Sequence, residues 1–402
     1  MEDLYSRQIG ALGSQTMKNI SKLRVLIYGL DTIGTEAAKS LSLMGVKELN
    51  LVDDKKYNKE HYGRLLLKSK KGVPLATVCK KFIENLQTST NVKAIYSKNA
   101  IDLIKNKQVD AVVLTEHINL EKIESLCLTN KIPFIFGYNS DFLGYAFVNF
   151  GNWKIIDSDG ETLFKDYIYN KLIDGGNIKL YFKTNEIPIS KKFSIQSNSS
   201  KYSGKVLEYR ITSKNSEKLL EVIIKYNTKL EKILKCANPL FSEEKENIIL
   251  SHVKFSDHIQ KKDYKYVDLR NSFGLDDTLY TNYTNFLLYN KNKFYTSAFL
   301  EKKNTKFYIL GSLIGGILAH EVIKTTHKYT PLSQDILFNC REFAGKEFYK
   351  GLVKFNDMGI LFDKNIIKKI KNLKMFMIGC GALGCEISKN LGMLGFCQSK
   401  KS

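Results

Sequence analysis

The chain has 402 residues, 43% of them hydrophobic and 11% aromatic, enough for two to four domains with real cores. Its net charge of +21 comes almost wholly from lysine, with six arginines present, and is spread along the chain; it reads as a composition bias, and no nucleic-acid partner is expected. No apolar run of roughly eighteen residues predicts a membrane span, the opening MEDLYSRQIG has no secretory pattern, and the seven scattered cysteines form no C-x-x-C pair. Reduced thiols with no disulfide framework and no metal site are therefore expected.

In chain order, residues 1–22 form a leader with helical spacing at Leu12, Met17 and Ile20, and they contain Tyr5-Ser6-Arg7-Gln8. An apolar run, Val25 to Tyr28, meets a turn at Gly29 and passes into a helix with Ile33, Ala37, Leu41 and Met44 on one side. Strands are predicted over 48–53, 92–96, 109–114, 132–136 and 142–150, and helices over 73–86 and 120–128. Strands alternating with helices predict a doubly wound α/β sheet, and the nearly continuous apolar runs suit strands buried on both faces.

From Asn152 the pattern becomes mostly β, with strands over 153–160, 178–182 and 207–212 and an exposed loop over 198–204; it reads as an inserted module. Residues 250–308 have helix-like spacing. Residues 311–328 form an apolar helix in which Gly315-Gly316 permits close packing and Pro331 provides the stop. Strands over 335–338 and 347–349 return to the first sheet, and 357–374 is a second leader.

A second strand–turn–helix follows that leader. Residues 374–395 match 24–45 without a gap at an offset of 350, so that Gly29 falls on Gly379, Gly34 on Gly384, Glu36 on Glu386, Lys39 on Lys389 and Gly45 on Gly395. In a Gly-x-Gly-x-x-Gly turn the first glycine makes the bend, the second admits a phosphate and the third packs helix on strand. The second copy keeps all three as Gly379, Gly381 and Gly384, whereas the first has Asp31 in the middle. A carboxylate there adds bulk and repulsion, so the first copy is expected to be structural and the second a nucleotide site. Asp53 has near-ribose spacing, but beside a spoiled turn it is read as a locally bonded strand end. Arg7 aligns with Asp357, so only one leader offers a guanidinium that could reach a triphosphate. His117, His252, His258 and His320 are isolated and read as structural, and nothing around Cys236 makes it a nucleophile.

The segments YSRQIGALG, GLDTIG, FLGYAFVNFG, IGGILAHEVIK and IGCGALGCEISKNLGMLG, in that order, resemble the N-terminal half of ubiquitin-activating enzyme, of the ThiF/MoeB-type adenylation fold. That resemblance implies a Rossmann-like inactive adenylation domain in two segments, 1–151 and 307–350. Between them it implies a first catalytic-cysteine half-domain without a nucleophile (152–249) and a four-helix-like insert (250–306). The start of an active adenylation domain would occupy 351–402. It further implies ATP and Mg2+ in the complete enzyme, neither held tightly by this chain, with ubiquitin or a related modifier, a conjugating enzyme and the missing active half as partners. The compartment it implies is cytoplasm and nucleus. Arg7 is similar to the arginine that reaches across to the ATP of the active domain, and Gly379, Gly381 and Gly384 match the ATP-cradling turn. The catalytic cysteine and the remaining ATP and magnesium ligands of the family have no counterpart here, so the chain alone is expected not to adenylate a modifier. The alternatives are a non-catalytic subunit of a SUMO- or NEDD8-type activating enzyme, a nicotinamide-dependent oxidoreductase and a non-enzymatic scaffold. An intact second turn argues against the first of these, and Asp31 together with the absent second acid argues against the oxidoreductase.

Overall fold

The computed structural model describes residues 4–58, 69–260, 307–340, 362 and 364–396, apart from 87, 98–100, 117–118, 141, 161–162, 185–186, 189, 198–199, 215–216, 237 and 246. His117, residues 261–306 of the stretch with helix-like spacing, the strand predicted over 347–349 and Asp357 lie outside the described residues. The described chain divides into two compact units. One contains Met1–Trp153, Leu250–Thr326 and Pro331–Ser402, and the other Lys154–Ile249 with His327–Thr330.

The leader of the first unit forms two short helices, α1 (Ser6–Leu12) and α2 (Ser14–Ile20). Its sheet contains β1 (Arg24–Tyr28), β2 (Glu48–Val52), β3 (Asn91–Ile95), β4 (Ala111–Leu114), β5 (Phe134–Ser140), β6 (Leu143–Asn149) and a late strand, β16 (Asp335–Asn339). The spatial order is β16-β6-β5-β4-β1-β2-β3. The five strands from β5 to β3 are parallel, whereas β6 and β16 run antiparallel to their neighbours. This is the expected α/β sheet, and β16 returns to it as expected. Strand β1 lies between β2 and β4, so the chain order reverses there, which is where ligands meet sheets of this kind. With a strand on each side and helices over the faces, Val25, Leu26, Ile27 and Tyr28 are all buried.

Helices α3 (Thr32–Leu43), α4 (Leu75–Glu84), α5 (Ile101–Lys105) and α6 (Leu120–Thr129) connect the strands. Of these, α5 has too short a pattern to stand out in the sequence. Helix α9 (Tyr308–Lys324) crosses α3 closely. A Cβ on Gly315 would fall 2.7 Å from the Ile33 carbonyl oxygen, so the close packing predicted for the glycine pair rests on Gly315, while Gly316 faces open space. Pro331 does not stop this helix, as the sequence suggested. The helix ends at Lys324, where the Thr325 and Thr326 hydroxyls each donate 2.7 Å bonds to the Val322 and Ile323 carbonyls.

The second unit is a closed barrel. Its strands are β8 (Lys165–Tyr167), β9 (Asn170–Asp174), β10 (Asn177–Phe182), β11 (Lys192–Ser197), β12 (Ser200–Lys214), β13 (Glu217–Lys225) and β14 (Leu240–Glu244), in the order β8-β14-β11-β12-β13-β10-β9. The two outermost strands are consecutive in the chain, and the Ile168 and Tyr169 amides between them donate to the Pro239 and Tyr181 carbonyls. Residues 165–174 therefore act as one bent strand that joins both ends of the sheet and removes most of its open edge. Helix α7 (Thr228–Leu234) contributes Leu230, Ile233 and Leu234 to the same core. The loop expected over 198–204 is instead, from Ser200 onward, strand β12 paired with β11; Gly204 lies opposite the buried Phe193, and serines, a lysine and a glycine carry no apolar signal. A two-stranded ribbon pairs β7 (Asn152–Ile155) with β15 (Ile248–Ser251), so the helix expected from Leu250 begins later, as α8 (Phe255–Gln260).

Phe241 is fully buried in the barrel, stacked on Phe193 with centroids 5.3 Å apart. Phe241→Ala is expected to cost about 3–5 kcal/mol, read as a lowered urea midpoint for the barrel by near-ultraviolet circular dichroism; a loss below about 1 kcal/mol would contradict this packing.

Candidate functional site

The two glycine turns have the same backbone. Gly29 and Gly379 both lie in the left-handed region, at φ +94° and +91°. Asp31 and Gly381 cap the helices that follow at φ/ψ of −71°/−169° and −72°/−161°. A Cβ on Gly34 would sit 1.9 Å from the Gly29 carbonyl oxygen, and one on Gly384 would sit 2.4 Å from that of Gly379. The first glycine is thus required by the bend and the third by contact. The middle position has no special dihedrals, so only what approaches it from outside can require glycine there.

What approaches differs between the copies. At the first turn a Cβ on Gly29 would meet the Thr115 hydroxyl at 2.4 Å and the Glu116 side chain at 2.7 Å. The Thr115 hydroxyl donates to the Gly29 carbonyl at 2.8 Å. Asp53 accepts from the Leu30 amide at 2.7 Å and from the Lys55 amide at 2.7 Å, and the Lys55 ammonium bridges Asp53 and Glu116. Asp31, Asp53 and Glu116 surround this turn with carboxylates, and Thr115 and Glu116 fill its space. Asp53 is the locally bonded strand end that the sequence suggested. At the second turn, by contrast, nothing lies within 4 Å of a Cβ on Gly379 or Gly381, and both are exposed.

The strand expected before the second turn does not form. Residues 374–380 carry no regular structure, and Phe376 and Ile378 are each 88% exposed. A strand needs a neighbour for its backbone groups, and none of the described strands lies beside this segment. The helix after it does form, as α11 (Ala382–Leu394), preceded by α10 (Lys364–Asn372).

Helix α11 packs on α3 through paired charges. Lys39 reaches Glu386 at 2.7 Å, and Lys389 reaches Glu36 at 2.9 Å. Within each helix the same residues pair again, Lys39 with Glu36 at 2.5 Å and Lys389 with Glu386 at 2.8 Å. Burial works against the Lys389 charge, yet Glu36 and Glu386 hold its pKa above the usual lysine value. Burial likewise opposes the Glu386 charge, but Lys389 and Lys39 keep that carboxyl below its usual range. The cross is reciprocal because the four residues are two copies of one E-x-x-K pair, and it requires the helices to run antiparallel. At the far end the Tyr308 hydroxyl donates to the Asn390 carbonyl, and Met393 and Ile367 join Phe142, Phe307 and Phe362 in one cluster.

The antiparallel cross fixes which features share an end. Gly381 precedes Glu386 by five residues, and Met44 follows Lys39 by five. At about 1.5 Å per residue both stand about 7–8 Å from that ion pair in the same direction. Met44 lines an open groove of about 530 Å3 with Arg7, Leu12, His320 and Ile323. Arg7 is exposed on α1, and among the described residues no carboxylate pairs with it. Helix α1 is held there by Tyr5, whose ring packs on Gly45 and whose hydroxyl bonds Ser89 at 2.9 Å. Arg7 therefore lies by the C-terminal end of α3. His320 is also in the groove, with burial and then Lys324 pushing its imidazole below the usual value.

The remaining candidates are structural. His252 accepts from the Phe150 amide at 3.2 Å and faces the Leu332 carbonyl at 2.8 Å, and His258 pairs with Asp335 at 2.9 Å. Cys79 is buried, its thiol pushed up to about 12 by desolvation, and Cys127 is raised by the same cause. Cys236 donates to the Lys232 carbonyl of the helix that precedes it, α7. No group of metal-ligating side chains occurs among the described residues. Two features escaped the sequence reading. Thr115 and Glu116 fill the first turn from β4, far away in the chain, and no local pattern marks them. The ion cross was visible only as E-x-x-K repeated at equivalent positions.

Lys39→Glu and Glu386→Lys are each expected to speed amide exchange across Ala382–Leu394 by tenfold or more, about 1.4 kcal/mol, and the double variant to return most of the loss. Additive effects would show that the two charges do not meet.

The sequence profile of the ThiF family matches residues 5–355. Among curated proteins, "Ubiquitin-activating enzyme E1 1" of Candida albicans is 26% identical over an alignment that covers 98% of this chain and 43% of that protein. "Ubiquitin-like modifier-activating enzyme 1" of Dictyostelium discoideum is 25% identical, with 98% and 43% covered. "Ubiquitin-like modifier-activating enzyme 6" of Homo sapiens is 24% identical, with 99% and 42% covered. The chain thus spans less than half the length of these relatives, which are of the kind its motifs resemble. A profile match of that extent, on a parallel sheet with a glycine turn at the switch point, places the chain in the ThiF family.

Proposed function

We propose that this chain is the supporting, N-terminal part of an ATP-dependent activating enzyme for ubiquitin or a related modifier. The observation that supports the reading is the difference between the turns: one backbone, with Asp31 in the middle and Thr115 and Glu116 pressed on Gly29 in the first copy, and glycine at 379 and 381 in the second. On this reading the first sheet is the inactive adenylation domain, and the barrel is the first catalytic-cysteine half-domain, without a nucleophile. Residues 250–306 belong to a helical insert, and residues 351–402 begin the active adenylation domain.

The residues present fit part of a nucleotide site. With no side chain at Gly379 or Gly381, the backbone N–H groups at the start of α11 can approach a phosphate, and the positive end of the helix favours its charge. Arg7 would hold charge on the triphosphate as a bidentate donor. ATP would supply the adenylyl group to the C-terminal carboxylate of the modifier, with pyrophosphate leaving. Magnesium ligands and a ribose-binding acid for this copy are not found among the described residues, nor is a catalytic cysteine. They belong, with transfer to a conjugating enzyme, to an active half that acts as partner. Cytoplasm and nucleus are the proposed compartments, and neither nucleic acid nor a membrane is a proposed partner.

The test is ATP–pyrophosphate exchange with ubiquitin. Residues 1–402 alone are expected to give only background. Mixed with the remaining C-terminal portion of the Candida albicans relative, the chain is expected to support exchange, and Arg7→Ala to lower that rate roughly 10²-fold. Exchange by the chain alone, or a mixture indifferent to Arg7, would contradict the proposal.

A further inference from the structure

Tyr5 stands two residues before Arg7 and is the one buried residue between Leu4 and Thr16. Helix α1 has seven residues, none of them buried. So short a helix does not hold itself in water. At its far end Gly13, at φ +83°, separates it from α2. The start of α1 is held by Tyr5, whose carbonyl also accepts from the Ile9 amide at 2.8 Å.

Two separate contacts hold Tyr5. Its ring lies on Gly45, where a Cβ would fall 2.7 Å from the ring carbon Cζ. Gly45 has φ +77°, so the backbone favours glycine there as well. The Tyr5 hydroxyl shares a 2.9 Å hydrogen bond with the Ser89 hydroxyl. Ser89 lies in a loop that is itself tied to the end of α3. There the Ser42 and Thr88 hydroxyls share a 3.0 Å bond, and the Thr90 hydroxyl donates to the Ser42 carbonyl at 3.3 Å. The ring contact needs only an aromatic residue, whereas the bond to Ser89 needs tyrosine.

The duplication separates these two contacts. At the 350-residue offset Gly45 falls on Gly395, also left-handed at φ +82°, but Tyr5 falls on Phe355 and Arg7 on Asp357. One leader has both the hydroxyl and the guanidinium, and the other has neither. Core packing is satisfied by either aromatic residue, so it does not account for a hydroxyl in the copy that carries the arginine.

Resting on the reading above, we infer that Tyr5 is a positioning residue for Arg7. Its bond to Ser89 fixes the start of α1, and with it the place from which the guanidinium reaches a triphosphate. Arg7 is exposed and, among the described residues, has no carboxylate to orient it. Its direction must therefore come from the backbone that carries it. A long side chain on a fixed backbone loses less freedom on meeting its ligand than one on a moving backbone. At 6% exposure Tyr5 does not itself meet a ligand; it acts through Arg7.

The test uses Tyr5→Phe, which removes the hydroxyl and keeps the ring. In the 402-residue chain alone, Tyr5→Phe and Ser89→Ala are each expected to speed amide exchange at Ile9 to Leu12 about fivefold and to leave β1 and the barrel unchanged. In the mixture with the remaining C-terminal portion of the Candida albicans relative, Tyr5→Phe is expected to lower ATP–pyrophosphate exchange about fivefold. In an Arg7→Ala background it is expected to lower the rate no further. A purely structural tyrosine would cost the same factor in both backgrounds. The inference is overturned by unchanged α1 exchange in Tyr5→Phe, by a Tyr5→Phe mixture that works at full rate, or by a loss that persists without Arg7. An inactive wild-type mixture would instead overturn the reading of function, and the α1 exchange would then decide the inference by itself.

Discussion

The meeting of the two duplicated units depends on the reciprocal ion cross between α3 and α11. A pair of carboxylates and a pair of ammonium groups, partly withdrawn from water, satisfy one another only when the helices run antiparallel in one register. The alternative leaves charges half-buried and unpaired, which costs more than an exposed bridge could return. Because both pairs come from equivalent positions of a duplicated segment, the contact has approximate twofold character without a second chain. It also sets the direction of α11 against α3, with Glu386 on Lys39 and Lys389 on Glu36.

Duplication followed by divergence at a few atoms leaves two turns of one backbone with different middle residues, Asp31 and Gly381. Both retain the left-handed first glycine and the third glycine pressed on its carbonyl, because the strand–helix bend requires them. They diverge where only a ligand could require glycine. In the first copy Asp31 stands at that position, and Thr115 and Glu116 press on Gly29 beside it. In the second copy the space is open, but the walls are absent.

Much of this was legible in the sequence. Val25 to Tyr28, and the apolar runs of β4 and β5, announce strands buried on both faces, and the 350-residue offset announces the duplication. Asp31 marks the difference between the two turns without any coordinates. Other features were hidden for identifiable reasons. Ser200 to Gly204 read as loop because even inward positions among them, Ser200 and Gly204, are not apolar. Pro331 read as a helix stop, although two threonine hydroxyls end the helix earlier. Residues 374–380 have a strand's composition, but a strand is a property of neighbours, and the composition does not report them. Thr115 and Glu116 reach the first turn only through the fold, and the cross between Lys39 and Glu386 spans most of the chain.

The central claim is that the second turn and Arg7, rather than the first turn, form the end that meets phosphate. Nitrogen–proton correlation spectra during titration with millimolar tripolyphosphate test it most directly. The account predicts weak but concurrent shifts at the Gly379 and Gly381 amides and at the Arg7 side-chain Nε, with Gly29 and Gly34 unmoved. Shifts at Gly29 and Gly34, or at the second turn with Arg7 silent, would contradict it.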